Sequence, residues 1–237
     1  MEPTASQLEK TVSYYQDQPY STQAKRTYDI LIELIAQGVL SGARTYTEAE
    51  LSSILQVGRT PLREALKLLE FDAVIKTIPR LGIQVQECRI EEYLLQVEVR
   101  VALENVVIRR ACSLVTDGVR QRLQALNDRF AEIAKTDDSL ELYRVDRKLH
   151  AAIDECSKNP YAVHALAPLR FYEQRVHYLL SRVYPETGLH LNMAHIAFVQ
   201  AIVGGREEDA CKFFGEMISS TTKLVQMRVG ANMGMSF

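Results

Sequence analysis

The chain has 237 residues, of which 47% are hydrophobic and 24% charged, an ordinary composition for one large folded domain or two small ones. Its formal net charge of -2 excludes a global basic field, so any nucleic-acid contact has to come from a local patch. No apolar run approaches the roughly 18 residues of a membrane helix, and MEPTASQLEK at the start lacks the basic-then-apolar order of a secretion signal. Cys88, Cys112, Cys156 and Cys211 form no C-x-x-C pair, which reads as the reduced thiols of a cytoplasmic protein.

Residues 1 to about 20 are polar with mixed signals and read as a loose, flexible arm. From Ser21 to Gly38, Tyr28, Leu31, Leu34 and Ile35 recur at three- and four-residue spacing, an amphipathic helix that ends near Gly38. Thr47 followed by Glu50 is a capping box, and Leu51, Ile54 and Leu55 form the buried side of a short second helix. A break at residues 56–58 precedes a third helix running to about Phe71, with Leu62, Ala65, Leu66 and Leu69 facing inward. Pro61 fits its first turn, where a missing N–H has no helical partner to lose. Then the period changes. AVIKTI and GIQVQE are short, β-branched and alternating, and PRLG between them predicts a two-stranded hairpin with Gly82 at its tip.

After Arg89 only helical periodicity remains, over about 90–114, 117–135, 138–157, 160–183, 188–204 and 206–228. The breaks are Asp117-Gly118, Thr136 to Ser139, Asn159-Pro160, Pro185 to Gly188 and Gly204-Gly205. The fold class is therefore mainly α: an N-terminal winged helix-turn-helix of three helices plus a β-hairpin over 21–88, then an all-α bundle of about six helices over 89–228. Residues 229–237 read as a frayed tail.

VGRTPLREALKLL puts Arg59 and Arg63 four apart at the mouth of the third helix, with Thr60 and Lys67 beside them. In a helix-turn-helix that end enters the major groove, where an arginine forks onto a guanine edge or holds a phosphate. Arg80 and Gly82 sit on a wing able to approach the backbone or minor groove. The competing reading is a salt-bridged surface in which Glu64, Glu70 and Asp72 neutralise these cations.

The longer word TEAELSSILQVGRTPLREALKLLEFDAVIKTIPRLGIQV resembles the DNA-binding domain of GntR-family bacterial transcription regulators, with Arg59, Thr60, Pro61, Arg63, Glu64, Ala65 and Leu66 in register. The resemblance implies contact with a double-stranded operator by Arg59, Thr60 and Arg63, with Gly82 on the wing. Three positions depart from the pattern. Gly58 replaces a serine or threonine that would cap the helix, Ala49 stands where some members carry arginine, and Leu81 interrupts the wing-tip word.

The helical half resembles the FCD, or FadR C-terminal domain, subgroup of that family. EVRVALE carries Glu98, Arg100, Leu103 and Glu104; DRKLHAAIDECSKNP carries Asp146, His150 and Asn159; AHIAFVQAI carries His195. Asp146 and His150 are i and i+4, so both lie on one helix face and can share a divalent cation. The resemblance implies that His195 joins them around zinc, nickel or manganese, and that the metal helps hold a small carboxylate or sugar-acid effector. It also implies that Arg100 turns into the cavity to fork onto that carboxylate. Arg175 and His177 lie on a helix placed to line the same cavity. The subgroup's fourth metal ligand, a histidine, aligns with Ser220, a poor zinc ligand. Three arrangements stay open: three ligands completed by water or effector, a weak site, or a metal-free polar pocket. Without the resemblance, Arg100 can simply bridge Glu104, Asp146 can pair with an arginine, and the histidines can be core residues. Tyr172, Tyr178 and Tyr184 read as packing residues.

Together these features point to a homodimeric transcription regulator, a repressor on family grounds, with no enzymatic activity and no membrane partner. Two alternatives are a metal-dependent helical hydrolase, for which no separate base, G-x-S-x-G elbow, P-loop or dinucleotide fingerprint is present, and a DNA-binding protein whose effector site is vestigial.

Overall fold

The computed structural model describes residues 5–87, 90–136, 138–183 and 185–230. The chain divides into two compact units, residues 1–88 and 89–237.

The first unit contains α1 (Ala5–Gln16), α2 (Gln23–Ala36), β1 (Thr45–Tyr46), α3 (Glu48–Leu55), α4 (Arg59–Phe71), β2 (Ile75–Ile78) and β3 (Gly82–Val85). Thr22 opens α2 by accepting from Lys25 N at 3.1 Å. Ile30, Leu31, Leu34 and Ile35 of α2 are at most 1% exposed and meet the buried Leu62, Ala65, Leu66 and Leu69 of α4. Half of the capping box forms: Thr47 Oγ1 accepts from Glu50 N at 3.2 Å, but the Glu50 carboxylate accepts from Arg44 Nη1 at 2.6 Å rather than from Thr47 N. Leu51 and Leu55 are buried beneath α3 and Ile54 only partly so. Gln56, in a left-handed conformation, ends α3 and releases the chain into the turn before α4. Gly58 occupies the cap position of α4 and offers no side-chain acceptor.

Two readings change here. The segment read as a loose arm contains α1, docked on α2. Its anchors are a short apolar stripe, half-buried Leu8 and buried Val12 and Tyr15, joined to a polar cluster that hydrophobic periodicity does not reveal. Thr11 Oγ1 and Tyr15 OH donate to the buried Glu33 carboxylate at 3.0 and 2.8 Å, and Gln37 Nε2 donates to both Thr11 and Glu33. Four groups satisfy one another in a place where an unpaired one would be costly. Second, Gly82 is not the hairpin tip but the first residue of β3, paired with Ile78; the turn is Pro79, Arg80 and Leu81. A third strand, β1, adds to the hairpin in the order β1-β3-β2, both pairs antiparallel. That strand explains Gly82. Its φ is +122°, and a Cβ there would lie 2.3 Å from the Tyr46 carbonyl oxygen.

The second unit is helical among its described residues: α5 (Ile90–Leu114), α6 (Asp117–Ile133), α7 (Ser139–Ser157), α8 (Pro160–Val183), α9 (Pro185–Val203) and α10 (Glu207–Gly230). Asp138 caps α7 by accepting from Glu141 N at 3.0 Å, and Asn159 Oδ1 accepts from Ala162 N at the start of α8. Pro160 and Pro185 each begin a helix, the position at which proline costs no backbone hydrogen bond. The helix read from residue 188 thus starts at Pro185. α5 packs on α7, α8 and α10, and α9 packs on α6 and α10. Val107, Ile108, Leu149, Phe130, Phe198 and Phe214 lie in the shared core, each at most 1% exposed. Cys112 and Cys156 are buried free thiols and Cys211 is half-buried; Cys88 lies outside the described residues. Among the described residues no helix is long and apolar enough to cross a membrane.

Candidate functional sites: a basic helix face and a buried polar cavity

The apolar stripe of α4 goes inward, so the opposite face carries Arg59, Thr60, Arg63, Glu64 and Lys67, all exposed. Arg80 is exposed at the hairpin turn and Gly82 is half-buried beneath it. Two of the three acids read as local neutralisers are engaged elsewhere. Glu70 accepts from Thr77 N at 2.9 Å, and Asp72 accepts from Tyr28 OH at 2.6 Å. Arg63 instead pairs with Glu48 on α3, Nε to Oε2 at 2.8 Å. Arg59 and Lys67 make no ion pair with any described residue.

In the helical unit one cavity of about 440 Å³, counting space open to solvent, is walled by four-residue-spaced positions on facing helices. α7 supplies Asp146 and His150, and α9 supplies His195. Each offers a ligand atom within 4.8 Å of the others, and all three residues are buried. His195 Nε2 lies 2.9 Å from Asp146 Oδ1 and His150 Nε2 lies 3.7 Å from it. Phe130 stacks on the His195 ring at 4.3 Å and fixes its plane. His150 Nδ1 and His195 Nδ1 are buried without a hydrogen-bond partner among the described residues, while His195 Nε2 is turned to Asp146 Oδ1. Burial pushes the His150 imidazole down to about 4 against the pull of Asp146. Burial alone would raise the Asp146 carboxyl, but His150, His195 and His177 hold it well below the usual carboxylate range. A neutral His150 imidazole beside an ionised Asp146 carboxylate is the protonation state a divalent cation requires. Orphaned buried nitrogens are otherwise expensive. The residues present therefore fit a metal ion.

Two further wall residues, Arg100 and Glu173, are charged and paired. Arg100, 4% exposed, lies 3.2 Å by Nη1 from Glu173 Oε2 and 3.4 Å by Nε from Glu104 Oε1. Behind it, Glu104 takes both Nε and Nη2 of Arg170, at 2.7 and 2.6 Å, and Arg170 reaches Asp154 with Nη1. Tyr93 OH donates to Glu173 at 2.5 Å. Burial tends to raise the Glu104 carboxyl, yet the adjacent guanidinium of Arg170 and then Arg100 bring it to about 2.

Of the residues singled out from sequence, Asp146, His150, His195, Arg100 and His177 meet at this cavity, and two do not. Ser220 is exposed and donates back to Glu216 O at 2.9 Å; α10 turns Met217, Ile218 and Thr221 toward the cavity. A one-residue register error on a helix rotates a side chain by about 100°. Arg175 is buried but does not line the cavity, to which α8 presents Glu173, Gln174 and His177. Glu173, Arg170, Asp154 and Tyr93 were missed, because their partners lie 16 to 80 residues away in sequence. Tyr172 and Tyr178 are buried packing residues, and Tyr184 lies outside the described residues.

A winged helix-turn-helix followed by a helical bundle around a buried polar cavity defines a DNA-binding transcription regulator with a helical companion domain. Residues 23–85 match the gntR family of bacterial regulatory proteins and residues 96–219 match the FCD domain. The chain belongs to the GntR family, in its FCD-containing branch. It is 26% identical over 169 residues to the Nta operon transcriptional regulator of Aminobacter aminovorans, covering 70% of this chain and 77% of that one. The fold is also that of McbR/YncC from E. coli, with a TM-score of 0.75 at 18% identity over 89% of this chain and 100% of that one. A GntR transcriptional regulator from Rhodococcus sp. RHA1 gives a TM-score of 0.62 at 18% identity, covering 86% of this chain and 97% of that one. Family and relatives are regulators rather than enzymes, which sets the hydrolase alternative aside.

Proposed function

We propose that the chain is a metabolite-responsive repressor that binds its operator as a homodimer through α4 and the wing. Its helical unit holds one divalent metal and a small carboxylate or sugar acid. In this reading Arg59, Thr60, Arg63 and Lys67 meet the major groove and its phosphates, and Arg80 reaches out from the wing. Gly82 supports the wing rather than touching DNA, because its missing side chain makes room for the Tyr46 carbonyl.

One observation carries the effector half: the Nδ1 atoms of His150 and His195 are buried without hydrogen-bond partners, and the two rings gather around Asp146. Asp146, His150 and His195 would hold zinc, nickel or manganese, and Thr221 and Met217 on α10 leave room for a ligand from outside the chain. When bound, the metal supplies a Lewis-acidic position for a carboxylate oxygen. The lining side chains otherwise carry one formal positive charge, Arg100, against the two carboxylates Asp146 and Glu173. A divalent ion reverses that balance and makes an anion welcome. Arg100 then offers a second contact to the same carboxylate. Effector binding shifts the DNA-competent population by no more than its difference in affinity for the two states. A two-fold operator needs two heads, and the exposed α5 stripe Leu95, Val99 and Val106 is the apolar surface this reading gives to a second copy.

Elemental analysis of the purified protein tests the metal site directly. About one zinc, nickel or manganese ion per chain is expected, lost in His150→Ala with the helical content retained. A metal-free preparation that still answers to a carboxylate would replace the metal reading with a purely polar pocket.

A further inference from the structure

We propose that Glu48 is a positioning residue for DNA recognition: it holds Arg63 by Nε alone, so that the two terminal nitrogens of the guanidinium face a guanine edge as a fixed fork. This deepens the reading in which α4 enters the major groove, and rests on it.

The geometry distinguishes Arg63 from its neighbours. Glu48 is the first residue of α3, directly after the Thr47 cap, so its backbone is fixed by the hydrogen bond from Glu50 N. α3 is in turn held on α4 through buried Leu51, Leu55 and Leu62. From that anchored start Glu48 Oε2 accepts from Arg63 Nε at 2.8 Å. Nη1 and Nη2 of Arg63 make no hydrogen bond with any described residue. A guanidinium is planar, so fixing Nε also fixes the plane of the outer pair. That outer pair is the fork that matches guanine O6 and N7.

Other arginines on this surface lack the arrangement. Arg44 spends a terminal nitrogen on Glu50 at 2.6 Å and lies over the Tyr46 ring at 4.1 Å. Arg59 and Arg80 have no ion-pair partner among the described residues, so nothing sets the direction of their forks. Holding a long side chain in advance removes entropy that binding would otherwise have to supply.

The charge of Glu48 points the same way. A carboxylate beside an arginine that only grips phosphate would weaken the grip, since it repels the phosphate. Beside an arginine that reads a base, it supplies direction. Glu48 is 42% exposed and Arg63 61% exposed, so the pair is open to an incoming base.

The test uses the full chain and a randomised DNA duplex pool, with selection by wild type, Arg63→Ala, Glu48→Ala and Glu48→Gln. Wild type should select a guanine at one fixed position of each half-site, and Arg63→Ala should lose that preference. Glu48→Ala should lower it by about tenfold, the scale of one bidentate base contact, leaving other positions and the salt dependence unchanged. Glu48→Gln keeps an acceptor for Nε and should restore most of the preference. Replacing the selected guanine by 7-deazaguanine should hurt wild type and leave Glu48→Ala nearly indifferent. If Glu48→Ala instead tightens binding to all duplexes alike and keeps the guanine preference, Glu48 is a repulsive charge only and the proposal fails. Equal behaviour of the Gln and Ala variants would likewise overturn it. If Arg63→Ala selects the wild-type sequence, the failure lies earlier, in the placement of α4 on the bases.

Discussion

Glu104→Gln removes the charge that two buried arginines share, and the size of its effect follows from the structure. Glu104 is 1% exposed, accepts two hydrogen bonds from Arg170 and lies 3.4 Å from Arg100. Its carboxyl is displaced from the ordinary 4.5 to about 2, a net result of burial opposed by Arg170. At about 1.4 kcal/mol for each pH unit of displacement, the ionised carboxylate contributes about 3 kcal/mol to the folded state. That agrees with the roughly 3–5 kcal/mol cost of breaking one side of a buried ion pair. The sign follows from the downward displacement: the contribution is full above about pH 4.5 and disappears as pH falls toward 2. Native-state hydrogen exchange of α5 and α8 against urea at pH 7 should show a loss of about 3 kcal/mol in Glu104→Gln, or a melting point lower by roughly 6–12 °C. The gap between wild type and variant should begin to close below about pH 4.5. A loss under about 1 kcal/mol that does not vary with pH would refute the buried ionic wall.

Gly82→Ala should unfasten β1 from β3, because a Cβ cannot sit 2.3 Å from the Tyr46 oxygen. Amide protection of the β1–β3 pairs Thr45–Gln84 and Tyr46–Ile83 should fall, with α8 unaffected. Unchanged protection would mean the glycine is there for another reason. Thr221→His should place a further imidazole on the cavity wall and tighten zinc at least tenfold in a competition with a chelating dye, whereas Ser220→His should not. The reverse order would restore the Ser220 register.

What could be read beforehand depended on how local the cause was. The stripe Leu62, Ala65, Leu66 and Leu69, the Thr47 cap and the spans of α5 and α8 each follow from residues within two turns and stand as read, and α6 and α7 differ from the expected bounds by two residues at most. Asp146 and His150 share a face by helix spacing alone, but only the resemblance tied them to His195, 45 residues on. β1 is two residues long, and its strand character comes from β3, about 40 residues away. α1 has only Leu8, Val12 and Tyr15 as an apolar stripe, and much of its hold is hydroxyls on a buried carboxylate, which periodicity does not register. The exchange of Ser220 for Thr221 shows how little error a helix tolerates: the two are sequence neighbours, yet one faces water and the other the cavity.

The central claim is that the Asp146–His150–His195 cavity governs the grip of α4 on DNA. It is tested most directly by titrating a selected operator duplex with zinc-loaded protein, in the presence and absence of citrate and other small carboxylic acids. For wild type the account expects at least one acid to weaken operator binding fivefold or more. A His150→Ala, His195→Ala double variant should bind the same duplex with wild-type affinity and ignore the acid. A double variant that still answers to it in full would contradict the account.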